Sequence, residues 1–384
     1  MNPLFANLPT SIFARMSASS VEHDAINLGQ GFPDFGWPED VVDRAAELVR
    51  SASNQYPPMR GLPELRSAIA DHYRHHQNVD HGIDEITVTS GATEALAAAI
   101  LALVSPGDEV LLFQPLYDAY LPMVRRAGGV PRLVRLSPPG WRITPEALEA
   151  AIGPRTRLVI FNNPHNPTAR VFDQAELDAV AQACVRHDLV ALSDEVWEHL
   201  VFDGRAHRPF SSLPGMAPRT VKVGSAGKIF SLTGWKVGWI AAPPALAGPV
   251  TNAHQYLAFA TPPNLQAAVA YGLGKADAYF QGMRTAFQAA RDRMVAALND
   301  IGFVTLAAEG TYFVCIDLAA SGIAADDVTF CERAVREAGI AAIPVSAFYD
   351  TDPATNVIRL CFAKRPETIE RGVERLRIAK TLFQ

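Results

Sequence analysis

"EITVTSGATEALAAAILALV", residues 85–104, sets a β-branched run, a turn of small residues and an alanine-rich run end to end. Val, Ile and Thr suit a pleated backbone because their χ1 is already restricted, whereas Ala and Leu give up little freedom in a helix. The stretch therefore predicts a strand that turns directly into a helix, the repeating element of a mostly parallel sheet wound with helices. Working outward, short apolar runs recur at 108–113 (DEVLLF), 156–161 (TRLVIF), 188–193 (DLVALS), 220–224 (TVKVG) and 237–242 (VGWIAA). Each is brief and nearly continuous in apolar residues, as strands buried on both faces are. From about residue 275 the texture changes. A long helical run at 280–302 leads to TYFVCIDL (311–318), a helix around 325–338 and NVIRLCFA (356–363), which predicts a second, smaller α+β domain. The expected division is an N-terminal segment, 1–40, belonging to the small domain and acting as a lid, a large domain, 41–280, and a small C-terminal domain, 281–384.

Composition narrows the function classes. The chain has 384 residues, 49% hydrophobic and 19% charged, enough for a large core shared by two or three domains at about 150 residues each. A net charge of −6 gives no cationic field for nucleic acid. No run reaches the ~18 apolar residues of a membrane span, and the N-terminus lacks a basic region followed by an apolar stretch. Cys184, Cys315, Cys331 and Cys361 have no metal-ligating spacing and read as reduced, buried side chains. These features predict a cytoplasmic, soluble protein with small-molecule partners or a second copy of itself, and no metal.

The polar residues that stand out follow the apolar runs, at the carboxyl ends of the predicted strands, where open α/β sheets bind ligands. Gly91, Ala92 and Thr93 fall where strand becomes helix, either an ordinary tight turn or a set of free N–H groups suited to a phosphate. Asp194 and Glu195 close another strand, where a carboxylate can cap a helix or hold a cationic ring nitrogen. Asn163-Pro164 and Asn166-Pro167 end a third strand and allow cis bonds that would aim the Asn166 amide into a cleft. Tyr117 follows a fourth, as a core aromatic or a stacking face. Lys228, in "SAGKIFSLTGWKVGW" (225–239), would ordinarily be a solvated turn lysine. With Lys236 close by and a dry pocket, its amine would instead be a nucleophile. Ser225, the lysines and the SGAT helix terminus together describe a pyridoxal phosphate site.

At these residues the sequence resembles the fold type I pyridoxal-phosphate enzymes, specifically the class I/II aminotransferases, in the branch of kynurenine (glutamine transaminase K) and bacterial methionine aminotransferases. The likeness runs through NLGQGFPDF (27–35), NQYPPMRGLPELR (54–66), GDEVLLFQPLYDAY (107–120), NNPHNPTARVF (162–172), SDEVWEHL (193–200), SAGKIFSLTGWKVGW and NVIRLCFAK (356–364). The resemblance implies a ping-pong transfer of an amino group from an L-amino acid, of methionine, glutamine or aromatic type, to a 2-oxo acid. It implies that Lys228 forms the Schiff base, Asp194 pairs with the pyridinium nitrogen, Tyr117 stacks on the ring and Asn166 donates to its phenolic oxygen. The phosphate would be held by Ala92, Thr93, Ser225 and Lys236, and by Tyr56 of a second subunit in a homodimer with shared sites. Arg359 would grip the substrate carboxylate, which fits its place in an apolar strand, where a guanidinium must be paired. Gly31 and Phe13 would help line the substrate side.

The sequence departs from the family pattern at three places. Trp197 stands where tyrosine usually follows DEV, Ala169 and Arg170 stand where NPTG supplies glycine, and Phe13 replaces a tryptophan of kynurenine aminotransferase. Phe13, Phe259 and Tyr256 point to an aromatic-tolerant pocket. Competing readings are a cysteine-conjugate β-lyase of the same fold, sharing the same α-carbanion, and a non-enzymatic cofactor-binding regulator, for which a basic DNA-binding region is missing. Ser225-x-x-Lys228 lacks the companion SDN and KTG motifs of penicillin-binding enzymes. His72 and His76, one helical turn apart, lack an HExxH context and read as a solvated helix end.

Overall fold

A computed structural model describes residues 1, 3–6 and 8–383. Its strands in chain order are β1 (Ile26–Asn27), β2 (Ile86–Ser90), β3 (Glu109–Gln114), β4 (Val130–Arg135), β5 (Thr156–Asn162), β6 (Val190–Asp194), β7 (Thr220–Ser225) and β8 (Val237–Ala241). They are followed by β9 (Val304–Thr305), β10 (Phe313–Asp317), β11 (Ile340–Ala341), β12 (Ile343–Pro344) and β13 (Val357–Cys361). The large sheet has the order β2-β8-β7-β6-β5-β3-β4. Every pairing in it is parallel except the two made by β8, which runs antiparallel between β2 and β7. The carboxyl ends of β2, β3, β5, β6 and β7 consequently share one edge, and the start of β8 meets them there: Ser90 pairs with Val237 and Ser225 with Gly238.

The stretch at 85–104 folds as expected, β2 passing into the helix Gly91–Leu103. Ala95, Leu96, Ala98, Ala99 and Ile100 are buried in that helix, and their small size lets it lie close to the helix Pro244–Leu257. Strand β4 is absent from the sequence expectation because it is an edge strand carrying Pro131, Arg132 and Arg135, so it shows no apolar run. The reversed β8 is invisible to composition, since both of its faces are buried like those of its parallel neighbours.

The second sheet is antiparallel, β12-β13-β10-β9, with Cys315 opposite Arg359. Strand β1 joins β11 in parallel, Ile26 beside Ile340, which attaches the N-terminal segment to the C-terminal part of the chain.

Behind the large sheet lies a buried ionic group. Lys222 on β7 is 1% exposed and places Nζ 3.0 Å from Glu195 and 2.8 Å from Glu198, over the face of Tyr73 at 4.0 Å. Burial pushes the Glu195 carboxyl up, but Lys222, His207 and the Phe210 N–H outweigh it and hold the group well below the usual carboxylate range. His72 is not a solvated helix-end residue: it is 4% exposed, and its Nε2 lies 2.7 Å from that of His199, the span of an N–H···N bond. The reason is packing, since the helix Pro63–Gln77 turns His72 and Tyr73 inward against Phe280 and β8. Lys222→Ala would strand two buried carboxylates and should cost about 3–5 kcal/mol in urea denaturation at neutral pH. The deficit should shrink on mild acidification, as the stranded carboxylates take up protons in the folded variant.

Candidate active site

The shared edge of the large sheet opens into a cavity of about 280 Å³. Its walls come from that edge, from the N-terminal segment (Phe13, Gln30, Gly31) and from the small sheet (Phe313, Arg359). The cofactor and substrate residues expected from the sequence line it, except Tyr56; Phe259 and Tyr256, which the sequence suggested for the pocket, do not. Tyr56 is 85% exposed on the outer surface, edge-on to Phe259 with centroids 5.6 Å apart, and Tyr256 is equally exposed. Tyr56, Phe259 and Tyr256 therefore do not face the cavity of their own chain.

At one end is a cradle for an anion. The helix Gly91–Leu103 presents its first N–H groups at the cavity, its N-terminus carrying partial positive charge. Gly91 has φ +70°, a left-handed conformation that favours glycine, and a Cβ there would lie 3.1 Å from Lys236 Nζ, so the lysine amine sits tightly against the helix start. Ser225, the last residue of β7, completes the cradle. A phosphate fits a donor set of helix N–H groups, a hydroxyl and an ammonium.

Asp194, 5% exposed, lies at the end of β6. Burial raises its pKa, an effect opposed by the Tyr120 hydroxyl, which donates to Oδ2 at 2.6 Å. Its other oxygen has only a long contact, 3.4 Å, from the Val196 N–H, leaving acceptor capacity for a cation. Tyr120 was not singled out in the sequence, although it stands one helical step beyond Tyr117, and the two rings meet edge-on at 5.6 Å. Asn162 holds the β5–β6 corner: its amide donates to the Asp194 carbonyl at 2.9 Å and accepts from the Asn166 N–H at 2.7 Å. The Asn163-Pro164 and Asn166-Pro167 bonds are both cis.

Arg359 is fully buried. One Nη donates to the Asn166 side-chain oxygen at 2.7 Å, the other to the Gly29 carbonyl at 3.1 Å, and Nε has no partner. The guanidinium stacks over Phe313 at 3.8 Å, with Phe348 and Phe13 at 5.1 and 5.3 Å. Burial lowers its pKa to about 10, so it stays charged at neutral pH without a carboxylate bonded to it. A buried cation with spare donors on a planar fork is a receptor for a carboxylate. Asn166, its oxygen committed to Arg359, presents its amide nitrogen as a donor.

Between these groups stands Lys228. Burial, reinforced by Arg359 and Lys236, brings its pKa down to about 8, against the opposing pull of Cys361 and Asp194. Nζ donates to the Tyr312 hydroxyl at 3.0 Å and lies 4.7 Å from the Trp197 ring. Tyr312 is a second residue the sequence did not flag, hidden just before the apolar β10. At the NPTG position, Ala169 holds φ +61°, a left-handed conformation that costs a non-glycine residue roughly 1–2 kcal/mol. The following Arg170 is buried on Glu176 and the Gly140 carbonyl.

The comparisons agree with this geometry. Residues 23–376 match the family model of aminotransferase class I and II. The chain is 42% identical over 385 residues to methionine aminotransferase of Escherichia coli, covering 98% of this chain and 99% of that one. It is 35% identical over 391 residues to human kynurenine–oxoglutarate transaminase 1, covering 93% and 92%. Among solved structures, N-succinyldiaminopimelate aminotransferase from Mycobacterium tuberculosis superposes with a TM-score of 0.95 at 42% identity, over 99% of this chain and 100% of that one. The chain belongs to the class I and II aminotransferases: it is a transaminase of the fold type I architecture. Members of this family use pyridoxal phosphate, and the relatives named here carry names for amino transfer, which does not favour the β-lyase reading. Among the described residues no helix is long and apolar enough to cross a membrane.

In protein freed of small molecules, competitive acetylation of Lys228 by trace acetic anhydride, followed by peptide mass spectrometry, should rise with a midpoint near pH 8. An ordinary lysine titrates near ~10.4.

Proposed function

We propose that this aminotransferase holds pyridoxal phosphate in the cavity and transfers the amino group of a neutral, apolar L-amino acid to a 2-oxo acid. What carries the reading is the half-buried Lys228 amine, set between the buried Asp194 carboxylate and the buried Arg359 guanidinium and beside an anion cradle. The N–H groups of Ala92 and Thr93, the Ser225 hydroxyl and Lys236 would hold the phosphate, Asp194 the ring nitrogen, Tyr117 the ring face and Asn166 the phenolic oxygen. Trp197 would pack beside the cofactor. When bound, pyridoxal phosphate supplies an aldehyde for covalent attachment of an amine and a ring that stabilises negative charge at the adjoining carbon.

The chain's own residues do the rest. Lys228 Nζ, with a pKa near 8, exchanges a proton readily close to neutrality and would take and return the α-proton. Arg359 orients the substrate through its carboxylate, and Phe13 and Phe313 exclude water from that end. Asp194, kept in a dry site, is an ion partner for a cationic ring.

Donor choice follows from charge. The charged residues lining the cavity, among those described, are Asp194, Lys228, Lys236 and Arg359, each with a place in the scheme. No further cation is left for a second substrate carboxylate, while Phe13, Gly31 and Phe313 supply apolar wall. Following cofactor absorbance as single amino acids are added should show rapid conversion with methionine and aromatic donors, and slow conversion with glutamate or N-succinyldiaminopimelate. Faster reaction with the dicarboxylates would overturn the assignment.

The division at residues 40 and 280 is part of this reading, supported by the β1–β11 pairing of the N-terminal segment with the C-terminal part. So is a homodimer, in which the exposed Tyr56, Phe259 and Tyr256 would face a second copy, with Tyr56 reaching its phosphate. Four buried, unpaired cysteines favour a reducing cytoplasm. Mixing inactive Tyr56→Phe and Lys228→Ala proteins should restore activity through heterodimers holding one intact site. No recovery despite demonstrated subunit exchange would mean that each site is built from one chain.

A further inference from the structure

The position after DEV that usually carries a tyrosine carries an indole, beside the lysine. Trp197 turns its ring toward Lys228 Nζ at 4.7 Å and meets Tyr312 edge-on, centroids 4.4 Å apart at 85°. The nearby phenols have separate tasks. Tyr120 donates to Asp194, and the Tyr117 hydroxyl bonds Thr93. The hydroxyl that reaches the lysine comes from the other sheet: Tyr312, just before β10, has no exposed surface and accepts from Nζ at 3.0 Å.

The proton of that hydroxyl is already committed, because Tyr312 donates to the Gly31 carbonyl at 2.5 Å. A phenol whose hydrogen is engaged can offer Nζ only a lone pair. The amine must then spend one of its own hydrogens on Tyr312, and a neutral amine held this way has its lone pair directed elsewhere, toward the remaining cavity. Burial raises the Tyr312 pKa well above that of a free phenol, so the hydroxyl stays protonated and the direction of both bonds is fixed. The carbonyl it grips is tethered as well. Gly31 is two residues from Gly29, whose carbonyl accepts from Arg359, and a Cβ on Gly31 would fall 2.7 Å from the Phe313 ring. The proton-moving amine and the carboxylate-binding guanidinium are thus both pinned to one short backbone stretch of the N-terminal segment.

We propose that Tyr312 is the positioning residue for the free Lys228 amine: it supplies the hydroxyl that Trp197 cannot, and aims the amine lone pair at the substrate α-carbon by joining Nζ to the Gly31 carbonyl. The assignment rests on the reading of Lys228 as the proton-moving amine. Tyr312 does not touch the transferred proton, and acts through Lys228.

Tyr312→Phe keeps the ring and its contact with Trp197 and deletes only the bridge. In the holoenzyme, loss of deuterium from an α-deuterated amino acid should slow roughly tenfold, the scale of one hydrogen bond. The half-saturating amino acid concentration should change little. In the cofactor-free protein, losing an acceptor for the ammonium should move the acetylation titration of Lys228 below its wild-type midpoint near 8. An effect on half-saturation instead of on exchange, or an unmoved titration, would overturn the assignment. Borohydride fixation of the cofactor on Lys228 in the same sample separates failure of this assignment from failure of the reading beneath it.

Discussion

A guanidinium with no exposed surface in the middle of an apolar strand is the constraint around which this molecule is arranged. Arg359 cannot be left bare in a dry environment, so its neighbours must come to it. One hydrogen bond fetches Asn166 from the edge of the large sheet, another fetches Gly29 from the N-terminal segment, and three phenyl rings close over its faces. Three separate parts of the chain are thereby assembled at one cation. What they do not provide is a carboxylate, and the guanidinium Nε is left without a partner.

The same economy governs the rest of the cavity. Asp194 and Arg359 are buried and Lys228 is half-buried, and each is shifted by desolvation toward its neutral form: the amine and guanidinium downward, the carboxyl upward. Lys222, more deeply buried, is shifted the other way because Glu195 and Glu198 flank it. Two lysines six residues apart, on and just beyond β7, therefore have opposite characters. One is neutralised by partners and serves stability; the other is left under-partnered and available for chemistry.

Much of this is legible in the sequence, because polar residues that follow or interrupt apolar runs stand out. Lys228, Asp194 and Asn166 follow such runs, Arg359 interrupts one, and all line one cavity. What stayed hidden had no such contrast. Tyr120 and Tyr312 are aromatic residues among apolar ones, and only their hydroxyl bonds distinguish them from core. Strand β4 has arginines where a strand signal needs apolar residues, and the direction of β8 depends on the loop before it, where Lys236 takes φ +53°. The three histidines of HYRHH give a polar texture that suits a solvated helix end, whereas helical periodicity carries His72 into the interior.

The pairing of β1 with β11 joins residues more than three hundred positions apart, Ile26 with Ile340. Closing so long a loop carries an entropic penalty that local contacts do not share, and during synthesis on the ribosome the partner strand does not exist until most of the chain has been made. The large sheet, complete by Ala241, can assemble long before that. Phe13, Gly31 and Arg359 take their places only when the two ends of the chain meet. A nascent chain can therefore form the sheet edge that carries Asp194 and Lys228 before the opposite wall exists, and the enclosure of the cavity is the last thing the polypeptide acquires.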